Sequence, residues 1–167
     1  MPNWCSNRLS ITGDPEVLSG IARAAAQDQL FNYIEPEPKY EEDGNDILPN
    51  WYVWRLEHWD CKWEPDISTS GKIQHDGRTL DISFDTAWSP PIKIYEVLLE
   101  LDGIDKVFAT YYEPGMAFAG VWDNGDDRYY SVNASFLKDT APGISYDDRC
   151  ELDEEYGITE WFEEYSD

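Results

Sequence analysis

A chain of 167 residues with 35 Asp and Glu against 12 Lys and Arg carries a formal charge of −23, yet it also holds 8 Trp, 11 Tyr and 6 Phe. Disordered acidic chains lack such large apolar side chains, so this composition predicts a packed domain inside a strongly negative shell. That field repels nucleic acid and membrane surfaces and draws in basic ones, which excludes direct nucleic-acid binding and points to a protein partner.

The longest apolar runs fall far short of the roughly 20 residues of a membrane span. The N-terminus also lacks the basic and apolar blocks of a signal peptide. The expectation is a soluble cytoplasmic protein. Cys5, Cys61 and Cys150 are odd in number and form no C-x-x-C pair, which predicts free, buried thiols rather than a disulfide framework.

In chain order, Cys5, Leu9 and Ile11 share one face of an alternating segment while Trp4, Ser6, Arg8 and Ser10 take the other, which predicts a strand. Gly13-Asp14-Pro15 then supplies a turn, a cap and a first helical Pro for a helix to about Gln29. Residues 35–50, with Glu35-Pro36-Glu37-Pro38 and the run Glu41-Glu42-Asp43, offer nothing to bury and predict an exposed acidic loop.

After Pro49, a short helix over 51–59 would put Trp51, Trp54, Arg55 and His58 on one face. Stacking of Arg55 on Trp51 and Trp54 is then available. Leu80, Ile82 and Phe84 alternate with Asp81, Ser83 and Asp85, a strand with one wet face. Ser89 is placed to cap a helix opened by Pro90 and Pro91 and closed by Asp102-Gly103.

Strands follow over 105–112 and 116–122, separated by Glu113-Pro114-Gly115, and Asn124-Gly125 is a hairpin signal before a last strand near Tyr129 to Val132. The aspartates flanking that dipeptide leave a longer loop open. This order suggests an α+β fold, a split-βαβ antiparallel sheet with helices on one face. Residues 1–142 form the domain, with the 35–50 loop inserted, and 143–167 form an acidic helical tail packed on it.

Four motifs in series carry a resemblance. They are Met1-Pro2-Asn3-Trp4-Cys5-Ser6-Asn7; Trp51-Tyr52-Val53-Trp54-Arg55 running to Trp59 and Lys62-Trp63; Phe84-Asp85-Thr86-Ala87-Trp88-Ser89-Pro90-Pro91; and Glu113-Pro114-Gly115-Met116-Ala117-Phe118-Ala119-Gly120. Over about residues 1–122 their order and spacing resemble the YubB-like family of phage and plasmid proteins. The resemblance implies a ferredoxin-like domain and a mobile-element origin, and it supplies no catalytic residues. Trp4 and Trp88, both inside these motifs, are expected close to the core.

Charge concentrates in the tail. From Asp147 to Asp167 there are ten carboxylates and one cation, Arg149, interleaved with Leu152, Tyr156, Ile158, Trp161, Phe162 and Tyr165. Gly157 followed by Ile158 looks like a helix stop with its apolar contact, which predicts two short helices. As a single helix the 21 positions would span roughly 30 Å, about one carboxylate per 3 Å. One nucleic-acid strand carries a phosphate about every 3.4 Å, and duplex DNA one charge per about 1.7 Å. Imitating a duplex needs another row, from the 35–46 loop, from Asp123, Asp126 and Asp127, or from a second copy of the chain in a homodimer.

Other chemistry is weaker. His58 and Cys61, with His75-Asp76, lack paired metal-ligand spacing. Asp81, Asp85 and Glu113 could pair as glycosidase carboxylates, but 35 acidic residues make such pairs arise by chance. No nucleophile elbow, phosphate loop or zinc-protease motif is present. No catalytic residue, metal or cofactor is therefore assigned.

The favoured function is a mobile-element accessory protein acting in the host cytoplasm, an inhibitor of a host defence protein of the anti-CRISPR or anti-restriction kind. It would occupy a basic nucleic-acid-binding surface by acidic nucleic-acid mimicry. The partner-binding residues would be Glu41, Glu42, Asp43, Asp126, Asp127, Asp147, Asp148, Asp153, Glu154, Glu155, Glu160, Glu163 and Glu164. One alternative is a small-molecule or carbohydrate-binding module, or a hydrolase, built on Trp51, Trp54, Trp59, Trp63 and Trp88. Another is an accessory protein that is acidic only for solubility.

Overall fold

Alternation builds the first element. Cys5, Asn7, Leu9 and Ile11 of β1 (Trp4–Gly13) are buried, and Trp4 and Arg8, which alternate with them, are exposed. The computed structural model describes residues 2–40, 50–132 and 144–165, so Glu41, Glu42 and Asp43 lie outside the described residues. Asp14 caps α1 (Pro15–Ala26) by accepting from the Glu16 amide, and that helix buries Leu18, Ile21, Ala24 and Ala25. It stops at Ala26 rather than Gln29, because Asp28 turns left-handed at φ 56° and a new short helix, α2 (Leu30–Ile34), begins.

α3 (Asn50–Trp59) and α4 (Ile67–Ser70) lead into β2 (Lys72–His75), which pairs with β3 (Thr79–Ala87). Gly71 makes the entry to β2, since a Cβ there would sit 2.6 Å from the Ser83 carbonyl oxygen. After α5 (Ile92–Glu100) come β4 (Ile104–Glu113), β5 (Phe118–Asp123) and β6 (Asp126–Ser131). All pairings are antiparallel and give one six-stranded sheet in the order β2-β3-β1-β4-β5-β6. The fold is a mixed α+β one. The β5–β6 hairpin closes on Asn124-Gly125 alone, both left-handed at φ 51° and 102°, so the flanking aspartates pair instead of lengthening the loop.

The two faces of the sheet are covered differently. On one, Leu9, Ile11, Leu80, Ile82, Phe84, Val107, Ala109 and Trp122 pack with residues of α1, α2, α3, α4 and α5, including Leu18, Ile21, Phe31, Trp59, Ile67 and Tyr95. On the other, Tyr112, Ala119 and Val121 pack with Val132 and with Leu152 and Ile158, from α6 (Tyr146–Tyr156) and α7 (Ile158–Tyr165). Gly157 at φ 62° separates those two helices. Their apolar packing falls on β4 and β5, and Glu155 of α6 reaches Arg8 of β1, so among the described residues the β2-β3 side of this second face carries no comparable cover.

Trp4 and Trp88 are not in the core; they are 47% and 49% exposed. Trp4 stands on the outward face of β1, and Trp88 follows β3 in a left-handed turn, with φ 72°, whose amide donates to the Asn3 carbonyl. Cys5 and Cys61 are buried free thiols, but Cys150 is exposed, because it shares the outer face of α6 with Asp147, Glu151 and Glu154. Ser89 does not cap α5; its hydroxyl donates to the Asp60 carbonyl, and the Asp60 carboxylate takes the capping role by accepting from the Lys93 amide at 2.9 Å. Residues 35–40 are not all idle surface, since Glu37 holds Arg55 at 2.6 Å and the Glu35 carbonyl accepts from Trp59 Nε1.

Candidate functional site

Many carboxylates have internal partners. Asp28 accepts from the Ile67 and Ser68 amides, Glu64 from those of Phe31 and Asn32, and Glu113 from those of Gly115 and Met116. Each satisfies amides at a helix start or a turn that would otherwise lack partners. Glu113, one member of the weighed glycosidase set, is only 1% exposed and closes the turn before β5. The His58 ring stacks on Trp54 and its Nδ1 meets the Trp54 carbonyl, while the buried Cys61 thiol donates to the Ser89 carbonyl.

The ten described partner-binding candidates divide in two. Asp126 and Asp148 both hold Arg128, Asp127 accepts from the Tyr111 hydroxyl, Asp153 accepts from the amide and hydroxyl of Thr159, and Glu155 pairs with Arg8. Asp148 is 6% exposed and is not available to a partner. Burial pushes its carboxyl up, but Arg128 and the Tyr130 hydroxyl more than offset that and hold it below the ordinary aspartate range. Asp147, Glu154, Glu160, Glu163 and Glu164 are exposed and form no ion pair among the described residues. Glu151, absent from the expected set, belongs with them, being exposed one helical turn from both Asp147 and Glu154.

Geometry explains the division. On α6, Asp148, Leu152 and Tyr156 turn inward at i, i+4 and i+8, which sets Asp147, Glu151 and Glu154 outward. That stripe has about one carboxylate per 5 Å of helix, sparser than the phosphates of one strand. Sheet residues beside it add to the negative surface. Across β1 and β3, Ser10 faces Asp81, Arg8 faces Ser83 and Ser6 faces Asp85, on the half that α6 reaches through the Glu155–Arg8 pair. Arg8 is held in its charged form by the Glu155 hydrogen bond first, then by the charges of Glu155, Asp81 and Glu151.

The five tryptophans expected as one cluster separate. Trp59 is buried, Trp54 sits edge-on to it, and Arg55 lies over Trp51 and Trp59 at 5.1 and 4.9 Å rather than over Trp54. Trp63 instead meets Trp4, ring centroids 6.5 Å apart and tilted by 46°. Between them opens a pocket of about 330 Å³ lined by Trp4, Trp63, Glu64, Pro65, Asp66, Ser70 and Asp85. Sequence spacing could not bring Trp4 and Trp63 together, because their meeting depends on the segment between α3 and α4 returning to the end of the sheet where β1 begins and β3 finishes.

Burial raises the Glu64 carboxyl to about 7, against the lowering pull of the Phe31 and Asn32 amides and Arg55. A raised acid contributes stability below its unfolded value, and that contribution is lost as pH rises through the folded value. The window here runs from about 4.5 to about 7. Glu64→Gln removes the loss, which is at most about 3 kcal/mol. The difference in melting temperature between variant and wild type should therefore move in favour of the variant from pH 5 to pH 8; a constant difference contradicts this assignment.

Comparison with protein-family models and with curated proteins finds no match to this chain. Among solved structures, a crystal structure of a protein api92 from Yersinia pseudotuberculosis, with the family model DUF1281, is similar at 11% identity. The match covers 80% of this chain and 99% of that chain, with a TM-score of 0.45. Likeness at that level carries no argument for fold or function.

Proposed function

We propose that the protein is a phage or plasmid accessory protein that occupies the basic nucleic-acid-binding surface of a host defence protein, of the CRISPR or restriction kind, in the host cytoplasm. The observation that carries this is the outer surface of α6 and α7, where Asp147, Glu151, Glu154, Glu160, Glu163 and Glu164 are exposed without a cation paired to them among the described residues. Unpaired surface carboxylates add self-repulsion to a chain already at −23, and a basic partner relieves it. A second copy of the chain, or Asp81 and Asp85 on the open β2-β3 side, supplies the further row that duplex-like density needs.

We read the core as a ferredoxin-like split βαβ unit. In support, α1 and α5 lie in crossovers that join strands with one strand between them, in the order β2-β3-β1-β4. The four motifs resembling the YubB-like phage and plasmid family support the same reading. No described helix is long and apolar enough to cross a membrane.

Affinity purification from host lysate at low and high salt tests the proposal. A basic nucleic-acid-binding protein should be retained at low salt and released at high salt, because screening acts over about 8 Å at physiological ionic strength. The protein itself should bind neither DNA nor RNA. A partner retained equally at both salts contradicts the electrostatic mechanism. The pocket between Trp4 and Trp63 favours a second reading, a binding module for a small ligand.

A further inference from the structure

The pocket beside the open β2-β3 side of the sheet combines two features. Its aromatic walls, Trp4 and Trp63, are tilted into a wedge, with Trp4 half-exposed. Among the described residues its polar lining is Ser70 with three carboxyl groups, those of Glu64, Asp66 and Asp85, and no basic side chain. Aromatic faces attract cations through their quadrupole, and carboxylates do so through charge. Trp63 already shows the first, with Lys62 Nζ 4.2 Å from its ring centroid, and Lys62 is not part of the pocket lining.

The carboxylates are not equally free. Glu64 is tied to the Phe31 and Asn32 amides and Asp66 to the Thr69 amide, whereas Asp85 is exposed and makes no hydrogen bond or ion pair among the described residues. A neutral sugar could stack on the rings, but it would leave the pocket's negative charge unmatched. A planar guanidinium answers both features, because it stacks on an aromatic face and presents paired N–H donors to a carboxylate.

We infer that the pocket formed by Trp4, Trp63, Asp66 and Asp85 receives an arginine side chain of the protein partner. This rests on the partner-binding function proposed above. An arginine that holds a phosphate of nucleic acid is offered here a carboxylate and two indoles in its place. The pocket would thus set orientation, while the α6–α7 carboxylates act at longer range.

The probe is N-acetyl-arginine amide, with N-acetyl-citrulline amide as its neutral counterpart and spermidine as a free small cation. Binding is followed by NMR at the indole N–H signals of Trp4 and Trp63. Arginine amide should shift both signals saturably, and citrulline amide should not. Asp85→Asn, an exposed substitution, and Trp63→Leu should each weaken arginine binding about tenfold.

Spermidine binding as tightly as arginine amide, or citrulline matching arginine, overturns the inference, as does the absence of a saturable shift. Neutralising the α6–α7 carboxylates should leave arginine binding intact while it weakens the partner. If Asp85→Asn leaves partner affinity unchanged while that neutralisation abolishes it, the pocket assignment fails and the acidic-surface function stands.

Discussion

Replacing Arg128 with Met should cost about 3 kcal/mol of stability and loosen the tail helices from the sheet. Arg128 on β6 reaches α6 through Nε and Nη2, which donate to the Asp148 carboxylate at 2.7 and 3.0 Å, and Nη1 holds Asp126 at 2.7 Å. Tyr130 adds its hydroxyl to Asp148. Without the guanidinium, a carboxylate that is nearly inaccessible to water keeps too few donors for its charge, and burial then dominates.

The pH dependence follows from the same group. Asp148 is held below the ordinary aspartate range, so it contributes stability above that range, and the contribution is lost as pH falls through its folded value. In Arg128→Met the sign reverses, and stability should fall as pH rises. Urea unfolding at pH 7 should show the loss, and adding Asp148→Asn to that background should recover part of it. A variant as stable as wild type at pH 7 contradicts the role given to this pair.

Gly120→Ala should be about as damaging, roughly 3 kcal/mol, although it adds a single methyl group. Tyr111 faces Gly120 across β4 and β5 and lays its ring over the glycine, so a Cβ there would overlap the ring carbons, with Cε2 at 2.6 Å. The ring cannot simply move aside. Its hydroxyl donates to Asp127 at 2.7 Å, and its edge packs on Phe118 at 6.2 Å between centroids. In a Tyr111→Ala background the same alanine should cost little, and that difference is the coupling between the two positions. Equal cost in both backgrounds removes the steric account.

Local rules made much of the sheet legible. β1, β3 and the two-residue hairpin at Asn124-Gly125 follow from alternation and turn chemistry, since each depends on residues a few positions apart. The α6–α7 break at Gly157 is legible for the same reason. β2 is not legible, because Lys72-Ile73-Gln74-His75 is a short edge strand with only Ile73 to pack inward. Trp4 and Trp88 lie outside the core, because membership in a motif fixes neither the face a strand residue takes nor the turn that follows a strand.

The candidate surface was legible as charge and not as availability. Composition locates the carboxylates but cannot tell Asp148, buried under Arg128 and Tyr130, from Asp147 one residue earlier. Only the helix phase, fixed by Leu152 and Ile158 docking on β4 and β5, separates the two. Asp153 caps α7 through Thr159 and Glu155 anchors Arg8, so substituting either confounds charge with folding.

The central claim is that the exposed carboxylates of α6 and α7 take the place of nucleic-acid phosphates, and one competition measurement addresses it. The six exposed positions are neutralised together, as Asp147→Asn with Glu151, Glu154, Glu160, Glu163 and Glu164→Gln, leaving Asp148, Asp153 and Glu155 intact. After a folding check by circular dichroism, this variant and wild type are each titrated against labelled DNA or RNA bound to the recovered partner. Wild type should displace the nucleic acid, and the variant should need at least about tenfold more protein, with a shallower dependence on salt. Equal displacement by a folded variant would contradict the account and leave the acidity to solubility.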